Sequence, residues 1–133
     1  MILGLAKDVG YQFGIRKTLP VSKEKVWRFL FSKSGLITWL GEILEEIEIG
    51  RSFKTKDGVE IFVRVFHPFS HIRLDWKKKE WDNFSRIQIR VIEKGSKTTI
   101  RFHQEKLLDS KQRKEMKEYW TKVINKISDQ LYE

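Results

Sequence analysis

Apolar residues recur at every second position through most of the chain, and at every third or fourth position in only three places. Tyr11, Phe13, Ile15 and Leu19 alternate with Gln12, Gly14, Arg16 and Thr18, which predicts a half-buried strand stopped by Pro20. Ser22 is placed to cap a short helix carrying Val26, Trp27, Phe29, Leu30 and Phe31. Ser34-Gly35 reads as its break, and Leu36 to Leu40 as a second helical piece ended by Gly41. Alternation then resumes. Ile43, Glu45, Ile47 and Ile49 share one face of an expected strand that ends at Gly50. An extended piece over 51–56 leads to Asp57-Gly58, a strong hairpin signal. Further strands are expected around Val59–Phe66, Ile72–Lys77, Ile87–Val91 and Thr98–Gln104, each with one wet and one dry face. The last segment supplies the cover for the dry face. From a cap at Asp109 or Ser110, Met116, Tyr119, Trp120, Val123, Ile124, Ile127 and Leu131 form one stripe of a long helix, with lysines on the opposite side. The pattern predicts an α+β fold: a curved antiparallel sheet around a long C-terminal helix, with two short helices after the first strand.

Composition narrows the class. The 133 residues suit one domain over 1–133, with 1–8 as a short lead-in. No cysteine is present, so thiolate chemistry and disulfides are excluded, in keeping with a cytoplasmic setting. No apolar run approaches the roughly 20 residues of a membrane span. The net charge of +9 raises the question of nucleic acid. Basic residues are nevertheless spread along the chain and interleaved with acids, and the one pure run, Lys77-Lys78-Lys79, is closed by Glu80. A solvated surface is the expectation, and nucleic acid is not an expected partner.

The order of elements, and several short motifs within it, resemble a known family. Leu19-Pro20-Val21-Ser22-Lys23-Glu24-Lys25-Val26-Trp27 is similar to a strand end, turn and Val-Trp helix of the START-like (SRPBCC, Bet v 1-like) superfamily. Ile37-Thr38-Trp39-Leu40 takes the place of its helical Trp, and Gly50-Arg51-Ser52-Phe53 with Asp57-Gly58 resembles its glycine–phenylalanine strand and hairpin. Phe66-His67-Pro68-Phe69-Ser70-His71-Ile72 looks like its proline turn, and Lys97-Thr98-Thr99-Ile100-Arg101-Phe102 like its Thr-rich strand. Within the superfamily, the likeness is to the branch named after the activator of the Hsp90 ATPase. Glu118-Tyr119-Trp120 departs from the Gly-Trp of many relatives. The resemblance implies the helix-grip fold. The first function it implies is non-catalytic binding of an apolar small molecule or lipid in an internal cavity; the alternative is a protein-interaction module with a chaperone as partner, and a further alternative is an enzyme. Some START-like relatives are cyclases or dehydratases.

Inward parity selects the residues expected to line such a cavity: Trp39, Val63, Val65, Leu74, Trp76, Ile89, Phe102, Met116, Trp120 and Val123. Aromatic rings and methionine suit an apolar or aromatic ligand, and equally a filled core. Glu45 shares parity with the isoleucines of its expected strand, and Gln104 lies inward near a strand end, so both are candidate polar contacts to a ligand. His67 and His71 flank the turn at Pro68 and can approach each other, but no third ligand is evident and no metal is expected. His103 falls on the outer face with Arg101. No nucleophile elbow, phosphate loop or dinucleotide fingerprint is present, and no cofactor is expected. Acid–base work by Glu45, Asp75 or a histidine stays open on residue type alone.

Overall fold

The structure is a computed structural model that describes residues 5–6 and 10–131. Seven strands form one antiparallel sheet: β1 (Leu5–Ala6), β2 (Gly10–Leu19), β3 (Ser52–Lys54), β4 (Glu60–His67), β5 (His71–Lys77), β6 (Ser85–Lys94) and β7 (Lys97–Leu107). Their order across the sheet is β1-β2-β7-β6-β5-β4-β3. Strands β3 to β7 are a meander of sequential neighbours, while β2 closes onto the last strand, β7. This curved α+β arrangement is the helix-grip fold. Of the lead-in expected over 1–8, Leu5–Ala6 pairs with β2 as an edge strand. The rest of that segment lies outside the described residues.

Two short helices follow β2. In α1 (Lys23–Leu30), Ser22 accepts a hydrogen bond from the Lys25 amide at 3.2 Å, the expected cap. The break comes earlier than Ser34-Gly35. Ser32 caps α2 (Lys33–Trp39), and Gly35 lies inside that helix. Its missing side chain lets α2 approach the end of α1, where a Cβ would fall 1.7 Å from the Phe29 carbonyl oxygen. Thus Gly35 serves a close approach, not a break.

The strand expected over Ile43–Ile49 does not form. Residues 41–51 are an irregular strap, tied near its ends to the turn after β3 by Lys56 N–Glu42 O at 3.0 Å and to β4 by Gly50 N–Val63 O at 2.8 Å. Four glutamates (42, 45, 46 and 48) make this stretch a poor strand, and positive-φ glycines (Gly41 at 124°, Gly50 at 80°) turn the chain at either side of it.

Helix α3 (Ser110–Leu131) packs on the inner face of β2 and β7 and against α2. The Gln112 amide donates to Asp109 Oδ1 at 2.8 Å, which fixes the start of α3. Met116, Trp120, Val123, Ile124, Ile127 and Leu131, all on the expected stripe, are buried. Gln130 reaches Thr38 at 3.0 Å, tying the far end of α3 to α2.

Candidate functional site

The concave face of the sheet and α3 enclose the residues expected to line a cavity, and these side chains pack on one another. Trp39, Val63, Leu74, Met116 and Trp120 are fully buried, and Trp76, Ile89, Phe102 and Val123 nearly so. The Phe102 and Trp120 rings stack at 5.1 Å, and Tyr119 stands edge-on to Trp120 at 4.9 Å. A second aromatic group, Trp27, Phe31 and Phe66, fills the end of the sheet beneath α1, with Phe31 edge-on to Trp39 at 6.0 Å. Such offset and edge-on pairs are each worth about 0.5–1.5 kcal/mol beyond the area they bury.

The polar atoms of this interior largely satisfy each other. Trp120 Nε1 donates to Gln104 Oε1 at 2.8 Å, Gln104 Nε2 donates to Ser85 Oγ at 2.9 Å, and Ser85 Oγ donates to the Trp76 carbonyl at 2.7 Å. Trp39 Nε1 donates to the Leu30 carbonyl at 2.7 Å. Both ends of the Gln104 amide are therefore engaged by the protein's own side chains. Gln104 is completely buried and ties β7, β6 and α3 together. One donor stays unpartnered among the described residues, Trp76 Nε1. It lies in an aromatic nest with Trp81 at 5.5 Å and Trp120 at 6.3 Å.

Two expected site residues lie elsewhere. Val65 is half-buried on the outer face, because β4 carries a bulge. Val63 pairs with Leu74 and Val65 with Arg73, so Arg64 is an extra residue that reverses parity beyond it. Phe66 takes the inward place. Glu45 is exposed in the irregular strap, where strand parity has no meaning. With Glu42, Leu44, Lys54, Thr55 and Lys56 it lines a surface groove of about 450 Å³.

On the outer face, Asp75 accepts hydrogen bonds from Arg64 Nε at 2.7 Å and Arg86 Nε at 3.2 Å. Partial burial raises its pKa, but the two guanidiniums outweigh burial and hold it below the usual carboxylate value. A depressed folded pKa contributes stability above the unfolded value, lost as the pH falls through the folded one. Asp75→Asn is expected to cost about 1–3 kcal/mol at neutral pH and to weaken the acid limb of the stability curve, read by urea unfolding.

His67 and His71 face each other across the β4–β5 turn with ring centroids 4.9 Å apart, and His71 Nδ1 is 2.8 Å from Ser70 Oγ. No group of three or more metal-ligating residues occurs among the described residues. Burial first, then the charges of Arg90, His67 and Arg73, lower the His71 pKa below 6.5. Since the folded pKa is the lower one, the unfolded chain binds this proton more tightly. Stability is full above the unfolded pKa and declines as the pH drops toward the folded value. His71→Gln is expected to flatten that decline below about pH 6.5, while leaving the more acidic Asp75 limb in place. His103, expected on the outer face, lies there and contacts Gln12 Oε1 at 3.0 Å. No helix among the described residues is long and apolar enough to cross a membrane.

Sheet order, strap and long gripped helix together define an α+β protein of the START-like, helix-grip class. Within it, residues 20–131 match the family described as activator of Hsp90 ATPase homolog 1-like protein, and the chain belongs to that family. No curated protein matches the chain in sequence. Several solved structures share the fold. DynU16, from the dynemicin biosynthetic locus, superposes with a TM-score of 0.82 at 13% identity over 91% of this chain and 47% of its own. The chain thus spans about half the length of DynU16. The Aha1 dimer from Colwellia psychrerythraea gives 0.76 at 16% identity, covering 90% of this chain and 95% of that one. An HSP90 activator from Plasmodium falciparum gives 0.63 at 16% identity, over 73% and 74%. At these identities the likeness concerns the fold.

Proposed function

We propose that the chain is a protein-interaction module of the Hsp90 co-chaperone kind, a single cytoplasmic domain over 1–133 that works through its outer surface. The observation that supports this reading is the occupied interior. The rings on the concave face stack on each other, and the hydrogen-bond chain from Trp120 through Gln104 and Ser85 closes on the Trp76 carbonyl. A ligand entering there must displace packed side chains, at a cost of order 1–3 kcal/mol for overpacking alone. The family's description names Hsp90 ATPase activation, and one solved relative is an HSP90 activator. Ile37 and Leu44, 51% and 95% exposed, open on one shallow groove beside the strap and offer apolar contact to a partner. The test is the ATPase rate of purified Hsp90 titrated with the chain. A saturable rise supports the reading. An unchanged rate, with no complex on co-sedimentation, removes it.

The unpartnered Trp76 Nε1 favours a second reading, binding of an apolar small molecule or lipid. A buried donor without an acceptor costs about 1–3 kcal/mol. A ligand carbonyl or hydroxyl seated against Trp76, Trp81 and Trp120 relieves that cost. Of the inward set, Leu74, Ile89, Phe102 and Met116 are then its apolar neighbours. Under this reading, solvent extraction of the denatured protein releases one molecule per chain.

A further inference from the structure

The strand register places five cationic or protonatable side chains in one unbroken row across the outer face of the sheet. Arg16 of β2 pairs with Arg101 of β7, Arg101 with Arg90 of β6, Arg90 with His71 of β5, and His71 with His67 of β4. At the usual strand separation the row is about 19 Å long. Residues directly opposite on one face have Cβ atoms about 5 Å apart, and like charges so placed destabilise a sheet. Here three arginines stand side by side. Among the described residues, none of the three forms a side-chain hydrogen bond or a salt bridge. The outer face shows that this is not a shortage of acids. Arg64 and Arg86 share Asp75, and Lys77 meets Glu60 at 3.1 Å. The next row, through Gly14, His103, Gln88, Arg73 and Val65, holds no carboxylate, and neither do Thr18, Thr99 and Ile92 on the other side. Arg73 adds a further guanidinium, held by Gln88 Oε1 at 2.7 Å.

We infer that the Arg16–Arg101–Arg90–His71–His67 row is a docking strip for an acidic polypeptide segment that presents several Asp or Glu side chains along one line. Charge complementarity selects the anion, and spacing selects its form. Carboxylates at i and i+4 on a helix are roughly 5–6 Å apart, and those on alternate residues of an extended chain about 6.7 Å, both within the reach of arginines spaced by a strand separation. Guanidinium forks bind carboxylates in pairs, which favours arginine over lysine in such a strip. A single-stranded nucleic acid offers phosphates too, but it also needs rings on which its bases stack. The row's own rings, the imidazoles of His67 and His71, face each other at 4.9 Å, and Phe62, also on the outer face, sits opposite Asp75, away from the row and engaged by Arg64 at 5.6 Å. The inference goes beyond the chaperone reading, because it concerns the chemistry of the bound segment and holds for any partner that carries one.

The experiment is fluorescence anisotropy with a fluorescein-labelled peptide of eight consecutive glutamates at low salt. Three proteins are compared: wild type, Arg90→Gln/Arg101→Gln, and Lys117→Gln/Lys122→Gln on the exposed side of α3, which loses the same charge. The row variant is expected to bind about tenfold more weakly than wild type, and the helix variant within about twofold. Relief of like-charge repulsion is also expected to raise the Tm of Arg101→Gln by roughly 2 °C. Equal weakening in both double variants assigns the binding to diffuse charge and overturns the strip. So does an eight-nucleotide oligothymidylate that binds more tightly than the peptide, or a Tm that falls. Peptide binding with the expected mutational pattern but no Hsp90 activation removes the chaperone reading alone. Hsp90 activation that the row variant retains, with no peptide binding, removes the strip alone.

Discussion

Trp120→Ala is expected to lower the stability of the chain by about 4 kcal/mol or more, the largest loss of any single interior truncation. The ring is fully buried, stacked on Phe102 and edge-on to Tyr119, so its removal costs both transfer energy and a cavity. It also leaves Gln104 Oε1 without its 2.8 Å donor in a site closed to water, a further cost of about 1–3 kcal/mol. Domains of this size are stable by only about 5–15 kcal/mol, so a large unfolded fraction is expected near 37 °C. Trp120→Phe retains most of the packing and separates the two contributions; its cost is expected to stay near the hydrogen-bond share. Urea unfolding followed by far-UV circular dichroism measures both variants. A cost below about 2 kcal/mol for Trp120→Ala would mean that the ring borders open space, which suits a ligand cavity and not a filled core.

Gly35→Ala is expected to destabilise by about 3 kcal/mol, against the usual sign for this change in a helix. In a helix interior, alanine is ordinarily favoured over glycine by up to about 1 kcal/mol. Here the new Cβ meets backbone: the Phe29 carbonyl oxygen at 1.7 Å, its carbon at 2.7 Å and the Leu30 carbonyl carbon at 3.1 Å. No rotamer relieves this, and α2 must draw away from α1. That motion breaks the Ser32 cap, in which Ser32 Oγ donates to the Phe29 carbonyl at 2.6 Å and accepts from the Gly35 amide at 3.1 Å. It also stretches the bond from Trp39 Nε1 to the Leu30 carbonyl. A stability equal to or above wild type, by the same urea assay, would show that the two helices are not held in this contact.

Periodicity was enough to read most of the fold. Alternation located β2 and β4 to β7, and the stripe from Met116 to Leu131 located α3, because each element buries one face and exposes the other. Periodicity failed where no neighbouring strand is available for pairing. In the strap over 41–51, Ile43 and Ile47 share one parity and pack against the core, yet a strand needs a neighbour to pair with, and only the ends of this segment find one. A bulge adds one residue without leaving a mark in composition, so strand parity alone points Val65 to the wrong face. The role of Gly35 depends on how closely two helices approach, which no local pattern encodes. Parity points Gln104 inward, but its partners Ser85 and Trp120 are set by tertiary packing. The cationic row was half legible. Arg16, Arg90 and Arg101 each alternate outward in sequence, yet only the register between strands sets them side by side.

The central claim is that the interior is occupied by the chain's own side chains and that binding happens on the outside. Native mass spectrometry of the protein, purified from its own cell and mixed with Hsp90, tests it most directly. The expected result is a free chain at its bare mass of 16.0 kDa and a second species in which that same mass is added to the chaperone. A stoichiometric small-molecule adduct on the chain, with no chaperone complex, would contradict it and turn attention to the Trp76 nest.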